Sequence, residues 1–215
     1  MHSCTNGSRA RPPRVADADV DSVAFYDRNA RRFAAETGNL DMSAFYDRFL
    51  RHIQPAGRIL DAGCGIGRDA RAFIERGYSV VAFDASTEMV RLAGERAGGR
   101  AEVLQLRFED LAWREEFDGI WACASLLHIP TVELPAIAAR LAIALRPGGI
   151  LYMSFKYGLG ERVAGGRRFA NQTEETLTVA VGGTNLVLVE IWTTNDLRVA
   201  LPGERWLNAI ATRAR

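Results

Sequence analysis

The segment Leu60-Asp-Ala-Gly-Cys-Gly-Ile-Gly67 decides the fold. A short strand that begins at Arg58 runs into it, and a helix with apolar residues at Ala70 and Phe73 follows and stops at Gly77. Glycine adopts left-handed backbone torsions and lets another chain or a ligand come close to the backbone. The segment therefore predicts a strand, a tight glycine turn and a helix, in that order.

The same unit recurs along the chain. Residues 79–83 are an apolar strand that ends at Asp84, and Ser86 is placed to cap the helix that follows. Three further strands are predicted over 102–106, 117–123 and 150–155, with a helix over 134–145 that stops at Arg146-Pro-Gly-Gly149. The strands are apolar on both faces, which is typical of a parallel sheet covered by helices on two sides.

Both ends of the chain depart from this alternation. Two helices are predicted from about Asp21, before the first strand. The last third predicts a loop over 158–169, a helix from Thr173, and two strands over 186–193 and 205–212. The predicted fold is α/β: a doubly wound, mostly parallel seven-stranded sheet with a C-terminal antiparallel hairpin strand and N-terminal lid helices.

Composition indicates one globular domain. The chain has 215 residues, 48% of them hydrophobic, with 27 basic against 26 acidic residues. We expect a flexible basic tail over residues 1–18 and a single domain over 19–215. The near-zero net charge gives no general attraction to nucleic acid or to a membrane, and no apolar run is long enough to span a bilayer.

Cysteine usage bears on the compartment. The 3 cysteines are widely spaced and form no C-x-x-C pair, which favours a reducing compartment. We expect a cytoplasmic protein, a monomer or homodimer, with an organelle transit peptide as the alternative interpretation of the tail. No group of His, Cys, Asp or Glu has metal-ligand spacing, so no metal is predicted.

The glycine turn has an acidic partner. Asp84 follows Gly63 by 21 residues, at the end of the second strand, where an exposed carboxylate can accept hydrogen bonds from both hydroxyls of a ribose. Together they predict a pocket for an adenosine group. The dinucleotide fingerprint of dehydrogenases fits less well, because Arg68 stands where that pattern has its third glycine.

Four ordered motifs carry a family resemblance. They are Leu60–Gly67, Ala82–Ser86, Phe117–Ile120 and Leu145–Gly149. The chain from about Tyr26 onward resembles the class I, Rossmann-like S-adenosylmethionine (SAM)-dependent methyltransferases, in particular small bacterial enzymes of the tellurite-resistance-like and type 11–12 kind. The resemblance implies SAM as cofactor and S-adenosylhomocysteine (SAH) as product.

The resemblance also implies a cofactor site. Its predicted residues are Tyr26, Asp61, Gly63, Gly65, Arg68, Asp84, Ala85, Met89, Phe108, Glu109 and Ala124. By resemblance, Asp61 and Gly63 hold the methionine end of SAM, and Asp84 binds its ribose. Family members often have an acidic residue before the equivalent of Phe108, where this chain has Arg107. We therefore expect the Phe108 ring to contact the adenine, and Glu109 is a candidate to replace the missing acid. Two alternatives to cofactor binding remain: Arg68 is a solvated surface charge, and Tyr26 is a core residue.

Residues that bind or deprotonate the methyl acceptor are expected at the carboxyl ends of the fourth and fifth strands, next to the methyl group of SAM. His128 is the candidate base, with Tyr26 as a second candidate catalytic residue; a packing role is the alternative for both. The predicted substrate pocket comprises His128, Lys156, Tyr157 and Arg168. Arg162, Arg167 and Arg168 fall in a loop that could close over an acidic substrate. A surface loop is the alternative for Lys156, and Trp192 and Trp206 are expected to pack within the sheet.

These observations predict a SAM-dependent methyltransferase that transfers a methyl group to O, N or S of a small molecule by in-line displacement. Three alternatives remain open. The acceptor is instead tRNA or a protein, the chain binds SAM without catalysis, or it is an oxidoreductase that binds a nicotinamide cofactor. No nucleic-acid or membrane partner is expected.

Overall fold

The computed structural model describes residues 21–198 and 203–215. The predicted basic tail, residues 1–18, lies outside them. The division into tail and single domain therefore stays a prediction.

In the described part of the chain, seven strands form one sheet. In chain order they are β1 Arg58–Ala62, β2 Ser79–Asp84, β3 Glu102–Gln105, β4 Phe117–Ala122, β5 Leu145–Lys156, β8 Leu186–Asn195 and β9 Arg205–Arg213. They lie side by side in the order β3-β2-β1-β4-β5-β9-β8. The pairs among β1 to β5 are parallel, whereas β9 runs antiparallel to both β5 and β8. The predicted doubly wound sheet with a C-terminal antiparallel hairpin is confirmed.

Helices cover both faces of this sheet. They are α1 Ser22–Thr37, α2 Ser43–Leu50, α3 Arg68–Glu75, α4 Thr87–Ala97, α5 Leu134–Ala144 and α6 Glu174–Val181. The predicted cap of α4 is present, because Ser86 Oγ accepts a hydrogen bond from the Met89 amide at 3.2 Å. Thr173 caps α6, the helix predicted to start there.

The boundary between α5 and β5 differs from the prediction. The expected stop signal over 146–149 lies inside β5, which starts at Leu145. Leu145 pairs with Phe117 and Ile150 with Gly119, so the intervening residues bulge out of the ladder. A bulge accommodates a proline because its missing N–H is not needed for pairing there.

Residues 158–169 are not a simple loop, which corrects the sequence prediction. They contain β6 Glu161–Ala164, which pairs antiparallel with β7 Arg167–Ala170 as a separate hairpin. Gly165 and Gly166 form its two-residue turn, and both have positive φ, 57° and 77°. Turns of this kind match the twist of the flanking strands and require φ above zero. The Gly-Gly pair was therefore the overlooked signal.

The sheet buries a core on each side, because successive residues of a strand point to opposite faces. On one face, Leu60 belongs to a cluster with residues of α5 and α6. On the other, Ile59 belongs to a cluster with residues of α2 and α3, centred on Trp121. The Trp121 ring stacks on the Tyr152 ring, with centroids 3.9 Å apart.

Gly119 gives a sharp test of this packing. A Cβ at Gly119 would lie 2.3 Å from Ile53 Cδ1 and 2.8 Å from Phe49 Cζ, both in the buried core. We expect Gly119→Ala to lower the free energy of unfolding by about 1–3 kcal/mol through overpacking, measured by urea denaturation.

Gly94 is the matched control. It lies in α4, is exposed, and a Cβ there would meet no atom within 4 Å. Gly94→Ala should raise the free energy of unfolding by about 0.5–1 kcal/mol, because alanine loses less backbone entropy in a helix. Equal effects of the two substitutions would contradict the packing described for β4.

Candidate active site

A cavity of about 680 Å³ opens at the carboxyl ends of the parallel strands. It lies where the strand order reverses, between β1, which continues to β2, and β4, which continues to β5. Its walls come from α1, the glycine turn, the end of β4, the β6–β7 hairpin and the β8–β9 hairpin. Open α/β sheets bind ligands at this position.

Most of the predicted site residues line the cavity. They are Tyr26, Gly63, Gly65, Arg68, Asp84, Ala85, Met89, Phe108, Glu109, Ala124, His128, Lys156 and Arg168. Asp61 and Tyr157 do not line it. The hydroxyl of Tyr157 donates to Glu174 Oε2 at 3.2 Å, and Arg205 packs over its ring, so this side chain is engaged away from the predicted substrate pocket.

The glycine turn is shaped by close approaches. Gly63 has a φ of 72°, and a Cβ there would lie 2.4 Å from Ser125 Cβ. Ser125 Oγ donates to the Ala62 carbonyl at 2.7 Å, which holds the end of β1 against the segment after β4. Gly67 has a φ of 74°, and its Cβ would collide with Ala93 of α4 at 2.9 Å. Both positions therefore require glycine.

Asp84 is part of the same turn rather than an exposed acid, which corrects the expectation. Its Oδ2 accepts from the Gly65 amide at 2.9 Å and its Oδ1 from the Ser86 amide at 2.9 Å. The side chain is half-buried, and burial raises the pKa of its carboxyl group against the opposing effect of these amides. Each carboxylate oxygen keeps a further lone pair for a ligand hydroxyl.

Asp61 lies behind the turn. Its Oδ2 accepts from the Ala70 amide at 2.9 Å, in the first turn of α3, and its side chain is fully buried. Burial and the neighbouring Asp69 raise the pKa of the Asp61 carboxyl group. The carboxylate anchors α3 to β1, and the structure does not bring it into the cavity.

Arg68 is not the solvated surface charge considered from the sequence. Its Nε donates to Asp69 at 2.6 Å and its side chain is 19% exposed. Asp69 also accepts from Trp121 Nε1 at 2.8 Å. Burial raises the pKa of the Asp69 carboxyl group, but Arg68 and these hydrogen bonds outweigh it and hold the pKa below its ordinary value.

Tyr26 and His128 form a hydrogen-bonded pair inside the cavity. His128 Nδ1 lies 2.7 Å from the Arg168 carbonyl, which only accepts, so Nδ1 carries the proton. His128 Nε2 therefore accepts from the Tyr26 hydroxyl, 2.8 Å away. Burial lowers the pKa of His128 to about 4 and raises the pKa of Tyr26. The imidazole is neutral at neutral pH, and its basic nitrogen faces the tyrosine.

Lys156 is buried, not on a surface loop. Its side chain is 6% exposed, and its Nζ lies 2.8 Å from Asp196 and 2.7 Å from Glu204. The ammonium group also sits 4.2 Å from the centroid of the Trp206 ring. All three partners line the cavity. The two acids were missed from the sequence, and Trp206 was expected only to pack within the sheet, which the structure corrects. Trp192, as expected, packs within the fold, against Tyr152.

The two cysteines in the described part of the chain are poor nucleophiles. Burial raises the pKa of the Cys123 thiol to about 12, and burial also raises that of Cys64. A thiol with a raised pKa holds little thiolate at neutral pH. The geometry therefore favours acid-base chemistry through Tyr26 and His128 over covalent chemistry through sulfur.

Residues 59–149 match a family model described as a methyltransferase domain. This stretch of the chain is therefore similar to a methyltransferase domain. A curated relative, the ubiquinone biosynthesis O-methyltransferase of Xanthomonas campestris pv. campestris, is 33% identical to this chain over 105 residues. The match covers 46% of this chain and 43% of the relative. The chain thus matches less than half the length of that relative.

Solved structures share the methyltransferase fold. The 1,6-didemethyltoxoflavin-N1-methyltransferase of Burkholderia thailandensis, solved with bound 1,6-didemethyltoxoflavin and SAH, has a TM-score of 0.73 and 24% identity, covering 89% of this chain and 85% of its own. The [4+2]-cyclase SpnF has a TM-score of 0.70 and 16% identity, covering 89% and 95%. The predicted fold, and the predicted resemblance to methyltransferases, are confirmed.

Within residues 21–198 and 203–215, every helix is too short or too polar to cross a membrane.

The buried pair predicts a measurable pH dependence. Because the pKa of His128 is depressed from 6.5 to about 4, the unfolded chain binds a proton in this window that the folded chain does not. The free energy of unfolding should therefore fall as the pH drops from 6.5 toward 4. The chain has 3 histidines, so imidazole NMR resolves the His128 titration directly.

The control for this titration is His128→Gln, which assigns the resonance and should weaken the pH dependence of stability. A His128 midpoint near 6.5 in the folded protein would contradict the buried, neutral imidazole.

Proposed function

We propose that the protein is a SAM-dependent methyltransferase that transfers a methyl group to O, N or S of a small molecule by in-line displacement. One observation carries the proposal: a single cavity joins the glycine turn and Asp84 to the Tyr26–His128 pair. The first set suits an adenosyl cofactor, and the second suits a group that loses a proton when it is methylated.

The residues present fit the cofactor. Asp84 offers a partly desolvated carboxylate to ribose hydroxyls. A Cβ at Gly65 would meet only Phe33 within 4 Å, at 3.8 Å, so the turn leaves room for a ligand. Phe108 packs edge-on against Phe83 and lines the cavity where the adenine is expected. When bound, SAM supplies a methyl group activated by its sulfonium centre.

The acceptor half provides a route for a proton. Tyr26 donates its own proton to His128 Nε2 and accepts one hydrogen bond from Arg167 at 3.4 Å, which leaves one lone pair of the tyrosine oxygen for an O–H, N–H or S–H of the acceptor. A proton accepted there passes to Nε2 along the 2.8 Å hydrogen bond. The Arg168 carbonyl fixes the imidazole in the tautomer that this transfer needs. General bases of this kind contribute about 10²–10⁴-fold to rate.

The comparisons support a small acceptor. The Xanthomonas relative is named an O-methyltransferase of ubiquinone biosynthesis, and the Burkholderia structure is an N-methyltransferase. The fold alone does not fix the reaction, since SpnF is a cyclase. A SAM-binding protein without methyl transfer is therefore the second candidate, and a tRNA or protein methyltransferase the third. We place the enzyme in the cytoplasm, as a monomer or homodimer.

Two measurements test the proposed function. Calorimetric titration with SAM, SAH and NAD should show binding of both adenosyl compounds and none of NAD. Methyl-labelled SAM, incubated with a panel of phenols, amines, thiols, bulk tRNA and protein, should then label a small acceptor. NAD binding without SAH binding would overturn the methyltransferase assignment. Binding of SAM with no labelled acceptor would favour the second candidate.

Asp84→Asn should weaken SAH binding at least about tenfold, because the amide nitrogen cannot accept the hydrogen bonds that ribose hydroxyls donate. Calorimetry measures the affinity, and a melting curve checks the glycine turn that Asp84 also holds. Asp118→Asn is the matched control. It changes an aspartate near the opposite end of β4, which accepts from the Arg58 amide at 2.7 Å, and should leave SAH affinity unchanged.

His128→Gln should lower kcat by about 10²-fold or more with the acceptor identified above, while SAH affinity stays within about threefold. His52→Gln is its control, because His52 lies outside the cavity beside Glu190. Unchanged turnover in His128→Gln would make His128 a packing residue.

A further inference from the structure

The cavity is rich in cations, and nearly all of them are paired. Each of the following has a carboxylate within 4 Å: Arg68, Arg107, Lys156, Arg162, Arg168 and Arg198. Arg167 is the exception among the cavity-lining cations in the described part of the chain, since no carboxylate lies within 4 Å of it there. Its charge is not neutralised by the fold.

The surroundings of Arg167 leave only its edge for hydrogen bonding. The guanidinium carbon lies 4.3 Å from the ring centroid of Phe25, 5.1 Å from that of Phe169 and 5.7 Å from that of Tyr26. Its Nε is buried and has no hydrogen-bond partner. A buried donor without a partner is costly, so a donor in a cavity wall is suited to a ligand that carries a hydrogen-bond acceptor.

The edge of the Arg167 guanidinium lies next to the Tyr26–His128 pair. One terminal nitrogen of Arg167 lies 3.4 Å from the Tyr26 hydroxyl, which in turn contacts His128. The planar N–H fork of a guanidinium matches the two oxygens of a carboxylate or phosphate. We propose that the methyl acceptor carries such an oxyanion and that Arg167 binds it, placing the acceptor beside the Tyr26–His128 pair. This inference rests on the proposed function.

The two other arginines of the β6–β7 hairpin are less suited. Arg168, predicted from the sequence as a substrate residue, pairs with Glu161, and Arg162 lies 3.4 Å from Glu204. Their charges are already balanced by acids. Arg167 also lowers the pKa of His128, after the larger effect of burial. An anion bound to Arg167 offsets its positive charge and so raises the pKa of His128. The imidazole is then a better proton acceptor while the substrate is bound.

The test compares acids with their neutral counterparts in protein saturated with SAH. The probes are benzoate against benzamide and phenyl phosphate against phenol, with affinities measured by calorimetry. Wild-type protein should bind at least one acid about tenfold or more tightly than its neutral counterpart, as expected for charge-assisted hydrogen bonds. The preferred pair identifies a carboxylate or a phosphate.

Two variants of Arg167 and one control complete the design. Arg167→Gln should reduce the preference to less than about twofold, and Arg167→Lys, which keeps the charge but loses the fork, should fall between. The matched control is Arg48→Gln. Arg48 also stacks on an aromatic ring, Trp192 at 4.1 Å, but lies outside the cavity, so this variant should keep the full preference.

The outcomes separate the inference from the proposed function. Absence of SAH binding in wild-type protein refutes the proposed function, and this inference with it. SAH binding without any preference for acids, or a preference retained in Arg167→Gln, overturns the inference alone. An equal loss of SAH affinity in Arg167→Gln also overturns it, because Arg167 would then hold the carboxylate of the cofactor.

Discussion

The carboxylate of Asp84 is the interaction on which the cavity depends. By accepting hydrogen bonds from Gly65 and Ser86, it joins the end of β2 to the turn after β1 and to the start of α4. The turn can pass so close only because Gly63 and Gly67 lack side chains. Without these hydrogen bonds, the carboxyl ends of β1 and β2 would not be held together to form one wall of the cavity.

The parts of the fold that were predictable are those encoded locally. Alternating apolar strands and capped helices predicted the sheet, and the spacing from Gly63 to Asp84 predicted which strand ends would meet. The β6–β7 hairpin was missed because each of its strands has only four residues, two of them charged, and its strong signal was the Gly165-Gly166 pair. Asp61 was predicted from its motif to bind the cofactor, but its side chain accepts a hydrogen bond from the first turn of α3, behind the cavity.

The acceptor side was less predictable because distant segments build it. Lys156 ends a parallel strand, while Asp196 and Glu204 belong to the connection between two antiparallel ones, and no spacing in the sequence shows that they meet. Tyr26 and His128 are 102 residues apart. The cofactor half thus follows from one continuous stretch of chain, whereas the acceptor half follows from tertiary packing.

The position of β9 has a consequence for the order of folding. It lies between β5 and β8, although it follows both in the chain. Until β9 arrives, β5 presents an unpaired edge that includes buried Tyr152 and Phe155, and β8 has no partner in the sheet. Open strand edges of this kind associate readily with other chains. The growing chain is therefore most exposed to misassociation just before β9 closes the gap.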